Sequence, residues 1–169
     1  MVAAQLDELY ARLPAPECRG LCAHSCHEHV NASTAELPRI RGRGVDLEAG
    51  TEDGSCPALH RTVWGTGRCT VHDVRPMICR LWGAAAAMPC PHGCLPPHAL
   101  LNDTTTLRAM IDSLDTGGWD SSIAPIRDLL DRAMADPTRA ALMARYLRGD
   151  HTSAPELQHR LRDAARTQG

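Results

Sequence analysis

The stretch Gly67-Arg68-Cys69-Thr70-Val71-His72-Asp73-Val74-Arg75-Pro76-Met77-Ile78-Cys79-Arg80-Leu81-Trp82-Gly83 decides how this chain is read. Two cysteines stand among three arginines, Arg68, Arg75 and Arg80, in a segment punctuated by Gly67, Pro76 and Gly83. Outward from it the thiols continue. Cys56 lies upstream, Cys18-x3-Cys22-x3-Cys26 precedes that, and Cys90-x3-Cys94 follows. Eight cysteines therefore fall between positions 18 and 94 of a chain that has no Phe and is only 3% aromatic. Its apolar core must come from Leu, Ile, Val, Met and Ala, and that core is thin over the first hundred residues, where Pro and Gly are frequent. A thiolate-bound metal would supply the cohesion that apolar burial there does not.

Many cysteines can otherwise mean a disulfide framework, which belongs to oxidising compartments and follows a secretory signal. The start, Met1-Val2-Ala3-Ala4-Gln5-Leu6-Asp7-Glu8-Leu9-Tyr10, has neither a basic region nor an unbroken apolar one. Nowhere do about 18 consecutive apolar residues occur. The expectation is a cytoplasmic protein with no membrane partner, whose thiols stay reduced unless a metal takes them. A net charge of −2 gives no general attraction to nucleic acid or anionic membrane.

The intervals constrain the metal. No two cysteines are separated by the two-residue spacing of zinc ribbons. On a straight α-helix Cys18 and Cys26 would stand about 12 Å apart along the axis. A single zinc, with bonds of about 2.3 Å, draws its sulfurs to within roughly 4 Å of one another. Either the backbone bends, as Pro16 and Gly20 allow, or the triplet serves more than one metal or a larger cluster. Iron-sulfur clusters space their cysteines more widely and tolerate irregular intervals. Zinc and an iron-sulfur cluster both remain open, and eight thiols also divide evenly into two tetrathiolate sites. The candidate metal ligands are Cys18, Cys22, Cys26, Cys56, Cys69, Cys79, Cys90 and Cys94.

The triplet Cys18-x3-Cys22-x3-Cys26, then Asp53-Gly54-Ser55-Cys56-Pro57-Ala58-Leu59, then the Gly-Arg-Cys and Arg-Pro-x-x-Cys-Arg block of residues 67–83, resembles the YkgJ family. That family is also called the CxxCxxCC, or zinc- or iron-chelating, domain, and the likeness spans about residues 18–98. The resemblance implies that Cys18, Cys22, Cys26, Cys56, Cys69 and Cys79 are metal ligands. Cys90 and Cys94 lie beyond the shared core and are candidates on spacing alone.

Two departures stand out. The family closes its first motif with adjacent cysteines, whereas Cys26 is followed by His27. Where an aromatic usually precedes the acidic residue ahead of Arg-Pro, this chain has His72. Either histidine is a substitute ligand or a solvated loop residue, and the same pair of readings holds for His92 within Cys90-Pro91-His92-Gly93-Cys94. A thiolate centre is anionic and needs donors and cations around it. Arg68, Arg75 and Arg80 can hydrogen-bond sulfur or pair with Asp73, or else be plain surface charge.

Along the chain, residues 3–13 predict a short amphipathic helix with Leu6, Leu9, Tyr10 and Leu13 on one side, stopped by Pro14. From Cys18 to Pro97 the density of Pro and Gly leaves room for short helices and loops but little sheet, with a hairpin around Gly65-Thr66-Gly67. Helical periodicity takes over after Ala99. One helix, capped by Asp103 or Thr104, carries Leu107, Met110, Ile111 and Leu114 and ends at Gly117-Gly118. A second runs from about Ser122 to Met134. A third has Pro137 in its first turn, with Leu142, Met143, Tyr146 and Leu147 on one face and Gly149 as its stop. A polar fourth covers 155–166. The fold class expected is mostly α: an irregular Cys-rich metal-binding lobe, residues 1–98, packed against a C-terminal helical bundle, residues 99–169, within one structural domain.

No phosphate-cradling glycine loop, nucleophile elbow or His-Glu-x-x-His motif is present, so whether the chain is an enzyme stays open. Three classes of function remain. One is a metal-binding protein holding zinc or an iron-sulfur cluster. A second is an iron-sulfur-dependent enzyme or accessory subunit, methylase-like or redox. The third is a zinc-stapled interaction module. Some larger proteins with a similar cysteine domain are lysine methylases of flagellin, which implies that such a domain can sit beside catalysis.

Overall fold

The computed structural model describes residues 1–19, 23–27, 30, 32–62, 66–119 and 127–148. Its first helix, α1 (Val2–Ala11), follows the predicted pattern. Leu6 is fully buried, and Leu9, Tyr10 and Leu13 pack against the core from the same side. A single 3-10 turn spans His24–His27, and a short helix α2 (Glu36–Arg41) buries Ile40. Strands β1 (Leu59–Arg61) and β2 (Gly67–Cys69) pair antiparallel, with Leu59 opposite Cys69 and Arg61 opposite Gly67. This is the hairpin expected around residue 65, and it is the one sheet among the described residues. After Pro76 comes α3 (Met77–Leu81), which buries Met77, Ile78 and Leu81.

Three further helices complete the described chain: α4 (Asp103–Gly117), α5 (Arg127–Ala133) and α6 (Pro137–Arg148). The cap of α4 falls one residue earlier than its sequence suggested. Asn102 is extended and its side-chain oxygen accepts from Thr105 N at 2.8 Å, which leaves Asp103 as a first-turn carboxylate facing the positive helix end. At α6, Pro137 takes the first position as predicted, and Asp136 Oδ1 accepts from Thr138 N at 2.8 Å. The expected start of α5 near Ser122, the stop at Gly149 and the polar helix over 155–166 lie outside the described residues.

Leu107, Met110, Ile111 and Leu114 line one face of α4 and are buried. Each such side chain contributes about 1.5–3 kcal/mol when fully covered. Around this face gather Met77, Ile78 and Leu81 of α3, Ala85 and Met88, Leu130 of α5, and Ala140 and Met143 of α6. Helices α1 and α3 both pack on α4, so this core draws on residues from both sides of position 98. A second, much smaller cluster joins Ile40, Ala58 and Val71, flanked by Val45, Leu47 and Val74. Among the described residues no helix is long and apolar enough to cross a membrane.

One buried carboxylate ties these parts together. Glu36, 2% exposed, accepts from Tyr10 Oη (2.6 Å, α1), Met77 N (2.8 Å, α3), Ser33 N and Oγ (2.7 and 2.8 Å) and Ser113 Oγ (3.3 Å, α4). Five donors replace the water a carboxylate loses on burial. Burial and the Glu36 charge push the Tyr10 pKa well above its ordinary value, so its hydroxyl stays a donor.

Candidate metal centre

Cysteines from a 3-10 turn, a loop, a strand and a helix lie beside the hairpin. Cys26 sits in the 3-10 turn, and its carbonyl accepts from Cys56 N at 2.6 Å, which binds together two segments thirty residues apart. Cys56 begins a turn into β1, with Leu59 N donating to Cys56 O at 2.9 Å. Cys69 closes β2, and Thr70 N continues the pairing to Ala58 O at 2.9 Å. Cys79 lies on α3, where Cys79 N donates to Pro76 O at 3.0 Å. The helical geometry that would hold Cys18 away from Cys26 is not adopted among the described residues of that stretch. Residues 14–19 are not helical, and only His24–His27 turn.

Gly67 makes this convergence possible. A Cβ placed there would stand 2.6 Å from Leu59 Cδ1 and 2.7 Å from Ala23 Cβ. The cysteine-bearing segment before residue 27 thus rests directly on the β2 backbone.

Cys26, Cys56, Cys69 and Cys79 line a cavity of about 50 Å³. Cys26, Cys69 and Cys79 also line a neighbouring one of about 470 Å³, which Cys18, Cys90 and Cys94 border as well. The two sites share a wall, and Arg75 belongs to both. Burial, then the charge that Cys56, Cys69 and Cys26 would carry, push the Cys79 thiol far up, with Arg75 opposing. Burial raises Cys56 as well, against a hydrogen bond from Ala58 N. A cation beside Cys56 and Cys79 would stabilise both as thiolates against that burial.

Arg75 Nε is buried and has no hydrogen-bond acceptor. A donor left over in the wall of a thiol-lined cavity suits an anionic, sulfur-rich group. The donor set therefore fits a thiophilic metal. Its spacing is open, however: among the described residues no three His, Cys, Asp or Glu side chains stand close enough together to grip one ion.

The remaining candidates are placed as follows. Cys22 lies outside the described residues. Cys18 is exposed at the rim of the larger cavity. Cys90 and Cys94 lie on a separate loop across that cavity, and Cys94 is 6% exposed. His72 borders the larger cavity, and burial together with Arg75, Arg80 and Arg68 holds its pKa below the usual value. His27 is on the surface, 3.2 Å from Arg61 Nη2, and Arg61 in turn pairs with Asp53 at 2.6 Å. His92 is exposed, and its carbonyl accepts from Arg19 at 3.0 Å.

The arginines divide their work. Asp73 pairs with Arg43 rather than with the three arginines flanking the cysteines. Arg80 donates to the carbonyls of Arg75 (2.9 Å) and Asp73 (2.8 Å), and its guanidinium lies 4.0 Å from the centre of the Tyr10 ring. Arg68 and Arg75 line the larger cavity.

The family model described as "CxxCxxCC: Putative zinc- or iron-chelating domain" matches residues 17–106. The chain belongs to the CxxCxxCC family. The resemblance read from the cysteine triplet, the Cys56 segment and the 67–83 block is thereby borne out, and the matched region takes in every cysteine of both cavities and the start of α4. Membership of a zinc- or iron-chelating family accounts for the gathering of soft donors, and zinc or an iron-sulfur cluster is the cofactor consistent with it. No curated protein and no solved structure matches the chain. Sequence reasoning found the thiols but missed Gly67 as the seat of Ala23. It also missed the Glu36 hub, whose signal was the capping-box pattern Ser33-Thr34-Ala35-Glu36.

Proposed function

We propose that this chain is a metal-chelating protein whose centre is built by Cys26, Cys56, Cys69 and Cys79, with Cys22 joining them on the strength of the family motif. The observation that carries the reading is that four cysteines from separate segments line one small cavity whose wall also holds an unpartnered arginine donor. The favoured occupant is an iron-sulfur cluster. Three of these thiols also open onto the 470 Å³ space, which Cys18, Cys90 and Cys94 border as well, and thiols around so large a space match a polynuclear core better than one ion. When bound, such a cluster supplies one-electron chemistry. The chain's part is to hold it by thiolate, offer it the Arg75 N–H and shield it with Trp82 and the α3 core.

A single zinc is the second reading, favoured by the size of the cavity that all four thiols share. At about 50 Å³ it is far smaller than the 470 Å³ space beside it. The metal would then act as a staple for the loop-rich half.

Protein purified without oxygen and without an affinity tag separates the two. Absorbance near 400 nm with iron and acid-labile sulfide supports the cluster, and a colourless protein with one zinc per chain supports the staple. Metal-free yet fully folded protein overturns both. Serine at Cys26, Cys56, Cys69 or Cys79 is expected to lower the metal content at least fivefold.

A further inference from the structure

Thiols are only part of the wall of the 470 Å³ cavity. Two outlying segments, residues 16–19 and the loop carrying Cys90 and Cys94, help to enclose it. Glu17 N donates to Leu95 O at 3.3 Å and Arg19 Nη2 to His92 O at 3.0 Å, so the two segments hold each other. Both close on the backbone just after α3. A Cβ placed at Gly83 would stand 3.3 Å from Pro16 Cγ and 3.5 Å from Cys90 Cβ. The space is thus a built pocket, and its volume lies within the roughly 300–1,000 Å³ of small-molecule sites.

Its charge is one-sided. Arg19, Arg68, Arg75 and His72 border it, and among the described residues that do so there is no Asp or Glu. Elsewhere Arg39, Arg41, Arg43, Arg61, Arg127 and Arg139 each meet a carboxylate, whereas among the described residues Arg19, Arg68 and Arg75 meet none. Arg75 alone of these three also borders the smaller cavity, and its buried Nε lacks an acceptor. Arg19 and Arg68 border only the larger space and are exposed. One arginine therefore stands at the thiol centre and two stand farther out. Charges of one sign around a recessed space focus their field into it and concentrate the opposite ion there.

We propose that the outer part of this cavity receives a small organic anion, its carboxylate or phosphate held by the guanidiniums of Arg19, Arg68 and Arg75 and its apolar body lying against Pro16, Trp82 and Pro91. The proposal rests on the metal-centre reading for what lies beside the ligand, while the enclosure and the arginines stand without it. A guanidinium presents parallel N–H donors that match the oxygens of a carboxylate or a phosphate. A neutral molecule of the same shape leaves those donors without a charged partner. Trp82, partly buried against the main core, offers a flat apolar wall at the same space. The occupant this chemistry selects is a compact anion with a planar or apolar body, placed next to whatever the four thiols hold.

The test uses the full chain purified without oxygen, with metal and acid-labile sulfide measured on the same sample. Benzoate, phenyl phosphate and the uncharged benzamide are titrated into it by calorimetry. At least one of the two anions is expected to bind with a Kd below about 1 mM and at least tenfold more tightly than benzamide. Benzoate ahead of phenyl phosphate marks a carboxylate ligand, and the reverse order a phosphate. Arg68→Gln and Arg19→Gln are each expected to weaken the anion at least fivefold at unchanged metal content. Arg41→Gln removes the same charge from a residue that pairs with Asp46 and Glu48 and does not border the cavity, and it is expected to bind as the wild type does. Benzamide binding as tightly as the anions, or equal losses in all three variants, overturns the proposal. Metal-loaded protein that binds neither anion overturns it too and leaves the metal centre standing. Folded, metal-free protein that binds the anion does the opposite, since it supports the pocket and removes the metal centre.

Discussion

The carboxylate of Glu36 accepts the backbone N–H of Met77 at 2.8 Å, so the first turn of the helix that bears Cys79 is held by a side chain forty-one residues away. The same oxygen receives the hydroxyl of Tyr10, and Tyr10 in turn lies under the guanidinium of Arg80, next to Cys79. The position of this cysteine is thus set by α1 and α2 as well as by α3.

Replacing Glu36 by Gln turns one acceptor oxygen into a donor facing Ser33 or Met77. Bonds of this kind to a buried charged group are each worth about 1.5–3 kcal/mol. Glu36→Gln is therefore expected to destabilise the protein by about 2 kcal/mol, and Tyr10→Phe by about 1 kcal/mol, in urea titrations followed by circular dichroism. Wild-type midpoints for both variants would remove the hub from the account.

Gly67 offers a sharper link between packing and metal. Its added methyl in Gly67→Ala meets Ala23 and Leu59 at contacts well inside van der Waals range, and overpacking of this sort costs about 1–3 kcal/mol. The strain falls on the segment leading to Cys26. Metal per chain is expected to drop by more than half while the α4–α6 helical signal persists. Full metal loading in the alanine variant would show that the Ala23 contact does not position Cys26.

Chelation should separate the two clusters. Cys56 and Cys69 pack on the small cluster around Ile40, Ala58 and Val71, whereas Cys79 packs on the large core. On removing metal, or in Cys79→Ser, amides over 23–27 and 56–70 are expected to gain hydrogen exchange by at least tenfold, while those of α4 stay protected. Uniform protection across both regions after chelation would mean that the metal does not organise the smaller part.

Asp53 provides a pH probe of the same region. Its carboxylate accepts from Ser55 Oγ (2.6 Å), Ser55 N (3.1 Å), Thr51 Oγ1 (3.2 Å) and Arg61 (2.6 Å), which holds its pKa well below the usual carboxylate range. A depressed folded-state pKa stabilises the loop fully above the unfolded value of about 3.9, and this is lost as pH falls through the folded value. The Asp53 side-chain carbon signal is expected to stay at its ionised position down through pH 4 and to move only in stronger acid. A midpoint near 3.9 would show that the loop is not docked by these bonds.

Where residues of one face repeat every turn, the fold was legible. Leu107, Met110, Ile111 and Leu114 announce α4, Pro137 announces α6, and the glycine punctuation before Arg68 announces the hairpin whose second strand opens at Gly67. Asn102 displaced the expected cap because an amide oxygen satisfies Thr105 N while Asp103 remains free for the first turn. The thiols were legible as donors, and the Arg-Pro-x-x-Cys-Arg block as a family mark. Their grouping was not, because it rests on contacts between distant segments, such as Cys26 O with Cys56 N and Ala23 over Gly67, that no local periodicity records.

The small apolar cluster buries only Ile40, Ala58 and Val71 completely, too little hydrocarbon to stand by itself. Heat or denaturant should therefore dismantle this protein in stages whose order depends on the supply of inorganic ligand. A melting temperature quoted without the metal concentration would describe a mixture rather than a property of the polypeptide.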